Sequence, residues 1–357
     1  MYHSPRMDTI THGIAGSVLT RTLARRLETR AALVVGGLAA MVPDLDFLFL
    51  SSRLDYLRGH RGWTHSFVFL PVLALGFALL ARLVFRGARL SNLWLLSAAA
   101  IASHILCDWI TSYGTMFFTP FSRTRYSLDW VFILDPFFTG IVLVSLLAAA
   151  LLRQRGQALA VIGAAVLSVY VGFCAVLHGR ALEAWKGMDR PPDEARVAAL
   201  PQFLSPFRWL GLSERDGEVH LGFFDIGPFA RGVENPRPPT RFSEIFASLS
   251  DFYPSPVRAR IRRFRKPPQT AQLAAARALP DVQIYLAFAR FPLETVEPTA
   301  DGGTAITWED LRFLPWFAGP WGSEKGRLRR EPFVYRVRLD AAGQPVERAF
   351  VQSSRLP

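Results

Sequence analysis

The sequence predicts an α-helical integral membrane bundle of about six spans, followed by a soluble α+β domain. Half of the residues are hydrophobic and only 20% are charged, a balance that excludes a disordered chain. The long apolar stretches all lie in the first half, whereas the second half is rich in proline, arginine and aromatic residues. We therefore predict a membrane domain over residues 1–179 and a soluble α+β domain over residues 180–357.

Six apolar stretches are the candidate membrane spans. Five of them approach the roughly 20 residues that a helix needs to cross the hydrocarbon core, and the first is short and amphipathic. In chain order, the predicted spans are residues 11–26, 31–48, 66–85, 92–110, 131–152 and 158–178. The N-terminus lacks the pattern of a secretory signal, so we expect no cleaved leader.

The charge of the connections predicts the orientation of the bundle. The chain carries 41 basic and 29 acidic residues, a net charge of +12. The short turns after the first, third and fifth predicted spans contain arginines such as Arg25, Arg86 and Arg153. Arginine-rich short loops are typical of the cytoplasmic side. We therefore predict a multi-pass protein of the cell inner membrane, with the opposite face and the C-terminal domain in the periplasm.

Apolar and polar residues alternate in two parts of the C-terminal half. This pattern predicts a strand at residues 282–291 and a hairpin within residues 333–352 that turns at residues 341–343. We expect Trp308 to be a core residue, and we expect the arginine-rich stretch 258–266 to form a basic surface helix. The sequence there shows no phosphate loop and no nucleic-acid signature, so we expect no nucleic-acid partner.

In the six-span arrangement, histidines and aspartates gather at one membrane face, together with three arginines. Ionisable residues at or near membrane depth are energetically costly and usually mark function. Asp129 and Asp135 are candidate caps for the fifth span. The other acidic and histidine residues at this face are His12, Asp44, Asp46, His60, His65, His104 and Asp108. The arginines are Arg61, Arg123 and Arg125.

These residue types predict a metal centre. Histidine and aspartate are common zinc ligands, and a cluster without cysteine is typical of a catalytic site rather than a structural one. His104 and Asp108 are four residues apart, so both lie on one helix face and can reach one ion. Asp44 and Asp46 follow a helix-stopping proline. One of them can bind metal while the other orients a histidine or acts as a base.

A metal at this face indicates hydrolysis. A bound divalent metal lowers the pKa of water to about 7, so attack on an ester needs no unusual base. Arg61, Arg123 and Arg125 are the candidate substrate-binding residues, because guanidinium groups bind phosphate through two parallel hydrogen bonds. A site at membrane level suits a phospholipid or a lipid-linked substrate.

Two other functions remain open on the sequence. A transporter would use the histidines and aspartates as an ion-binding relay, but it would need polar residues at several membrane depths. A structural or signalling membrane protein would use the metal only to hold helices together. A fully protein-ligated ion would favour the structural role, and an ion with an open position would favour the enzyme.

Five motifs together resemble the YdjM-like family of bacterial and archaeal inner-membrane proteins, which are described as predicted metal-dependent hydrolases. The motifs are THGIAG (11–16), PDLD (43–46), HRGWTHS (60–66), HILCD (104–108) and the stretch 118–138. The resemblance covers residues 7 to about 178. It implies a metal-dependent hydrolase of the inner membrane.

The order of these motifs is also similar, more distantly, to the zinc-dependent phospholipase C and single-strand nuclease superfamily. That similarity implies a divalent metal, zinc, held by His12, Asp44, His65, His104 and Asp108. It also makes Asp46 and His60 further candidates, which we assign to catalysis. The sequence lacks a second His-x-x-x-Glu helix. This departure favours one or two metal ions over three.

Overall fold

The computed structural model of the protein describes residues 9–23, 29–215, 217–228, 253–313 and 333–351. The chain divides into two compact units, residues 1–176 and residues 177–357. Helices make up the first unit, and antiparallel sheets dominate the second. The predicted order, with helices first and a sheet-containing domain second, is confirmed.

Helices account for most of the described residues in the first half of the chain. Their bounds are α1 Thr9–Leu23, α2 Thr29–Met41, α3 Arg53–Gly59, α4 Leu70–Val84, α5 Leu90–Trp109, α6 Pro136–Leu151 and α7 Gly156–Asp189. Two short 3₁₀ helices, Pro43–Phe49 and Trp63–His65, lie in the connections before α3 and α4.

Among the described residues, α5 and α7 are each long and apolar enough to cross a membrane. Two pairs of consecutive helices, each bent at the break between them, are also long and apolar enough if each pair counts as one span. Arg30–Met41 meets Pro43–Phe49 at 45°, and Arg53–His65 meets Leu70–Val84 at 76°. By length and composition the described part thus offers two to four spans, and the six-span arrangement stays a prediction. The described part of α1 has 15 residues and α6 has 16, which corresponds to about 22–24 Å as a helix and is less than a full span needs.

Helices α1 and α2 pack in close contact through small residues. A Cβ atom added to Gly36 would lie 1.9 Å from Thr20 Oγ1 and 2.7 Å from the Gly16 carbonyl oxygen. The Thr20 hydroxyl donates to the Ala32 carbonyl across the helix pair at 2.8 Å. Small residues and hydrogen bonds between helices are typical of packing within membranes. This contact fixes α1, which carries His12, beside α2.

Helices α2, α4 and α5 also pack mainly through small side chains. Alanines from all three helices, among them Ala39, Ala74 and Ala100, are fully buried in one cluster. On the other side of α4, Val72, Leu80 and other large apolar side chains are exposed. A helix that is apolar on its exposed face indicates contact with lipid or protein rather than with water.

The second unit contains two four-stranded antiparallel sheets. The first sheet has the order β1-β2-β3-β4, with β1 Arg196–Gln202, β2 Ser205–Arg215, β3 Glu218–Asp225 and β4 Arg262–Arg265. The second has the order β5-β6-β7-β8, with β5 Pro292–Pro298, β6 Thr304–Asp310, β7 Val334–Leu339 and β8 Pro345–Phe350. Two helices, α8 Ala271–Arg277 and α9 Pro280–Phe288, precede the second sheet.

Two predictions for this half are confirmed. Strands β7 and β8 form the predicted hairpin, and Gly343 takes a positive φ of 78° in its turn. A glycine tolerates this backbone conformation without steric strain. Trp308 is fully buried, as expected for a core residue.

Two other predictions are wrong. Residues 282–288 belong to helix α9, which begins at Pro280 and buries Val282, Tyr285 and Phe288 on one face. Their spacing of three residues suits a helix, and a short apolar stretch does not distinguish a helix from a strand by its pattern. The arginine-rich stretch 258–266 is not a helix, because residues 262–265 form strand β4 and pair with β3.

Candidate metal centre

Four buried side chains converge at one point in the helical unit. They are Asp44, His65, His104 and Asp108, and each offers one ligand atom within 4.8 Å of the other three. The Nε2 atoms of the two histidines are 3.0 Å apart. Asp108 Oδ2 lies 3.1 Å from His65 Nε2 and 3.5 Å from His104 Nε2. Asp44 Oδ1 lies 3.7 Å and 3.5 Å from the same two nitrogens.

These separations fit a tetrahedral divalent cation. Zinc bonds to histidine nitrogen and carboxylate oxygen are about 2.0–2.1 Å long, so the edge of the tetrahedron is about 3.3 Å. The five separations range from 3.0 to 3.7 Å. Within the described part of the chain, Asp44 Oδ1 and Asp108 Oδ2 are buried and accept no hydrogen bond. Buried acceptors without donors are costly, and a cation among the four atoms would satisfy both.

The end of α2 positions Asp44. Pro43 begins a 3₁₀ helix directly after α2, and Asp44 is its second residue. The Thr9 hydroxyl donates to Asp44 Oδ2 at 2.8 Å. This contact leaves Oδ1 facing the two histidines.

A backbone carbonyl fixes the tautomer of His104. The Nδ1 atom of His104 lies 2.7 Å from the Ala40 carbonyl oxygen. Ala40 is in the last turn of α2, where carbonyl groups lack partners within the helix. A carbonyl only accepts hydrogen bonds, so Nδ1 carries a proton, and in the neutral ring the lone pair is on Nε2. A metal-binding histidine is usually held in this way through its second nitrogen.

A hydroxyl group orients His65. Thr64 Oγ1 lies 2.9 Å from His65 Nδ1 and donates to Asp46 Oδ2 at 3.4 Å. Because the hydroxyl proton is directed to Asp46, its oxygen accepts from His65 Nδ1. The Nε2 lone pair of His65 then faces the cluster. Asp46 thus contacts the hydroxyl that orients His65, a candidate metal ligand, which is the kind of role that the sequence suggested for one of the two aspartates.

Asp46 also holds His60 in a buried pair. His60 Nδ1 lies 2.9 Å from Asp46 Oδ1, and both side chains are buried. The His60 ring stacks on Tyr56 at 4.3 Å. Its Nε2 atom has no hydrogen-bond partner within the described residues. This pair lies next to the four converging ligands without belonging to them.

Arg61, a predicted substrate-binding residue, is fully buried. Its Nη2 atom lies 2.7 Å from Asp108 Oδ1, and Nη1 donates to the Asp108 carbonyl at 3.1 Å. The residue has a positive φ of 59°, a strained conformation for a residue with a side chain. The guanidinium group therefore neutralises Asp108 instead of facing a substrate.

The other two predicted arginines differ from each other. Arg125 donates to the carbonyl groups of Leu57 and His60 at 2.7 Å and 3.2 Å, and so supports the loop that carries His60. Arg123 has an exposed side chain. Exposure keeps Arg123 available for an anionic ligand, whereas the hydrogen bonds of Arg125 indicate a structural role.

His12 lies beside the four converging ligands without joining them. Its Nε2 atom is 3.3 Å from Asp108 Oδ1, and its ring centroid is 4.0 Å from that of His104. His12 also lines a cavity of about 30 Å³ together with Thr111 and Asp135. A cavity of this size holds one or two water molecules.

Three groups around the centre were not predicted from the sequence. The Thr64 hydroxyl lies within the HRGWTHS motif, and its position directly before His65 could have indicated that it orients this histidine. Thr9 precedes the THGIAG motif and gave no signal of its own. The Ala40 carbonyl is a backbone group, which the residue type does not reveal. Asp135 caps α6, as predicted, and accepts from the amides of residues 137 and 138.

A family model described as YdjM inner membrane protein matches residues 7–181. The uncharacterized protein YfhP of Bacillus subtilis is 29% identical over 173 residues, which cover 46% of this chain and 51% of YfhP. The inner membrane protein YbcI of Escherichia coli is 33% identical over 125 residues, which cover 34% of this chain and 72% of YbcI. No solved structure matches the chain significantly. The stretch matched by the family model contains every predicted site residue.

Proposed function

The chain belongs to the YdjM family of inner membrane proteins, and from this premise we propose that it is a membrane-bound, metal-dependent hydrolase. The observation that carries the proposal is the convergence of Asp44, His65, His104 and Asp108 without any cysteine. Nitrogen and oxygen donors at tetrahedral spacing favour zinc, and donor sets without cysteine are typical of catalytic zinc, which would also need an open coordination position. When bound, the metal would lower the pKa of a water molecule and polarise an ester oxygen.

The residues around the ligands would serve the reaction. Asp46 accepts from His60 Nδ1, so His60 Nε2 can take up or supply a proton, and the carboxylate stabilises the protonated ring. Arg61 neutralises one of the two ligand carboxylates, so an anionic substrate meets less repulsion. Arg123 is the exposed arginine that we assign to the substrate phosphate.

The proposed substrate is the phosphate ester of a phospholipid or of a lipid-linked molecule. The exposed faces of helices such as α4 carry large apolar side chains, so an amphiphile can approach from the bilayer. The proposal includes the six-span arrangement, with the metal centre and the C-terminal domain on the periplasmic face. Short arginine-rich turns at the other face support this orientation.

The hydrolase proposal is tested with the purified, zinc-reconstituted protein in mixed micelles. Phosphatidic acid and phosphatidylglycerol are the lipid substrates, and p-nitrophenyl phosphate is the water-soluble comparison. We expect metal-dependent release of phosphate or phosphorylated headgroup from a lipid, and a loss of about 100-fold or more in kcat for His60→Gln with bound metal retained. Absence of turnover by metal-loaded wild type on every phosphate ester would contradict the proposal.

The role of Arg123 has a matched control. Arg58 is another exposed arginine of the same unit. We expect Arg123→Gln to raise KM for the lipid with little change in kcat, because the arginine contributes to binding the phosphate. We expect Arg58→Gln to leave both constants unchanged. Equal effects of the two variants would assign the loss to general surface charge.

A structural metal site is the second candidate function. The four protein donors can by themselves complete a tetrahedral shell, and a closed shell is typical of structural zinc. The cobalt-substituted protein separates the two functions. Inorganic phosphate should change its visible absorption if a coordination position is open, as the hydrolase requires. An unchanged spectrum would favour the structural role.

A further inference from the structure

Large apolar side chains are exposed on three connections of the helical unit, residues 42–52, 60–69 and 110–135, of which the first carries Asp44 and the second His65. We name this group the aromatic collar. Phe49 and Phe121 are its most exposed members, at 86% and 83%. The full collar comprises Phe47, Leu48 and Phe49 in the first connection, Trp63 and Phe67 in the second, and Phe118 and Phe121 in the third.

Hydrogen bonds hold the three connections together. The Ser66 hydroxyl contacts the carbonyl oxygens of Phe117 and Thr119 at 2.9 Å and 2.7 Å, which joins the second connection to the third. The Thr64 hydroxyl donates to Asp46, which joins the second connection to the first. The exposed side chains therefore lie on three connections that hydrogen bonds join to one another.

Polar and charged residues lie next to the collar in the chain. Ser51 and Ser52 follow Phe49 and are exposed, and the exposed Arg123 is two residues after Phe121. Apolar residues such as Trp, Phe and Leu beside basic residues are typical of segments at the membrane–water interface, where an amphipathic surface meets both lipid tails and headgroups. A contiguous apolar patch facing water would be unfavourable.

The collar is also continuous in the chain with a lipid-facing helix. Trp63 and Phe67 precede α4, and Trp63 packs on Phe69 with ring centroids 4.6 Å apart. From there α4 continues with exposed apolar side chains such as Val72 and Leu80. The surface thus changes along the chain from aromatic to aliphatic, as expected between the interface and the hydrocarbon core.

We propose that the aromatic collar inserts into the boundary between the lipid headgroups and the acyl chains of the inner membrane. Interfacial apolar groups reach about 5–10 Å into this boundary. Because the collar connections also carry Asp44, Asp46, His60 and His65, the metal centre lies at the depth of the lipid phosphate groups. This placement concerns the membrane alone and holds whether or not the protein is a hydrolase.

Spin labels at two collar positions measure this depth. Phe49→Cys and Phe121→Cys are made in a full-length chain that carries Cys107→Ala and Cys174→Ala. The labelled proteins are reconstituted into vesicles of phosphatidylethanolamine and phosphatidylglycerol. Power-saturation spectra then measure how often each spin label collides with oxygen, which partitions into lipid, and how often it collides with a nickel chelate, which stays in water. The matched controls are Leu80→Cys on the lipid-facing side of α4 and Ala342→Cys in the exposed β7–β8 turn.

The proposal expects both collar labels to lie between the two controls, shallower than Leu80 and more accessible to oxygen than Ala342. Collar labels as accessible to the nickel chelate as Ala342 would overturn it. Labels as deep as Leu80 would also overturn it, because the collar would then lie in the hydrocarbon core.

A second measurement, of tryptophan fluorescence, keeps both native cysteines. Wild type and Trp63→Phe are compared for tryptophan quenching by brominated lipids, and bromine near the glycerol should quench Trp63 more than bromine near the chain end.

Discussion

The Nε2 atoms of His65 and His104 lie 3.0 Å apart in the interior of the helical unit. The Ala40 carbonyl accepts a hydrogen bond from Nδ1 of His104, so the Nε2 lone pair of the neutral ring faces His65. Two lone pairs at this distance repel each other unless a proton or a cation lies between them. The carboxylates of Asp44 and Asp108 face the same point. The four side chains therefore surround a position that favours positive charge.

The hydroxyl of Thr64 should set metal affinity without touching the metal. Thr64→Val keeps the shape of the side chain and removes the bridge between His65 Nδ1 and Asp46. We expect zinc affinity to fall about 10- to 100-fold, the usual effect of losing a group that orients a ligand. Competition with a fluorescent zinc chelator measures the change.

Thr124→Val is the control for this variant, because Thr124 is exposed and lies outside the centre. Its zinc affinity should equal that of wild type. An unchanged affinity in Thr64→Val would show that the hydroxyl does not position His65.

Arg61 should stabilise the fold through Asp108. Both side chains are fully buried, and their charged atoms are 2.7 Å apart. Arg61→Met leaves the carboxylate without its partner, so we expect the free energy of unfolding of the metal-free protein to fall by about 3–5 kcal/mol. Denaturation in mixed micelles, followed by circular dichroism, measures it.

Two further variants test whether the loss of stability comes from the Arg61–Asp108 ion pair. Arg123→Met, at an exposed arginine, should change the free energy of unfolding by less than about 0.5 kcal/mol. Asp108→Asn in the Arg61→Met background should recover part of the loss, because the buried charge is removed together with its need for a partner. A double variant less stable than Arg61→Met would contradict the assignment.

The close contact of α1 and α2 should not tolerate a methyl group. In Gly36→Ala the new Cβ would overlap Thr20 Oγ1 and the Gly16 carbonyl. We expect the free energy of unfolding to fall by about 1–3 kcal/mol. Zinc binding should also weaken, because α2 carries Ala40 and leads into the 3₁₀ helix that carries Asp44. The same micelle denaturation and chelator competition measure both effects.

Gly76→Ala is the matched control in another helix of the same unit. No atom lies within 4 Å of a Cβ placed there, so its stability should stay the same or rise by up to about 1 kcal/mol. Equal losses of unfolding free energy in the two variants would show that the effect comes from replacing a helical glycine in general and not from the contact between α1 and α2.

The four converging side chains were the part of the candidate site that the sequence indicated best. The spacing of His104 and Asp108 puts both on one face of α5, and Pro43 begins the new segment after α2, in which Asp44 is the second residue. Such signals are local and depend on residue type. Arg61 gave no comparable signal, because its burial follows from the position of Asp108, 47 residues further along the chain.

Long-range packing also decided where the sequence reasoning failed. The stretch around Val282 alternates like a strand, yet its apolar residues also repeat every three positions and pack as one helix face. The arginines of residues 262–265 suggested a solvated helix, but the free edge of β3 supplied backbone partners. The bend of 45° lies inside the predicted span 31–48, and the bend of 76° lies at the start of the predicted span 66–85.

Metal content tests the central claim most directly. The protein is purified in detergent, reconstituted with zinc, freed of excess ion and measured by elemental analysis. The parallel samples are His104→Ala/Asp108→Ala and a control, His178→Gln, whose histidine lies outside the centre. We expect about one equivalent of zinc per chain in wild type and control, and none in the double variant, with folding of all three verified by circular dichroism. A wild-type protein without bound zinc, or a folded double variant that retains it, would contradict the metal centre.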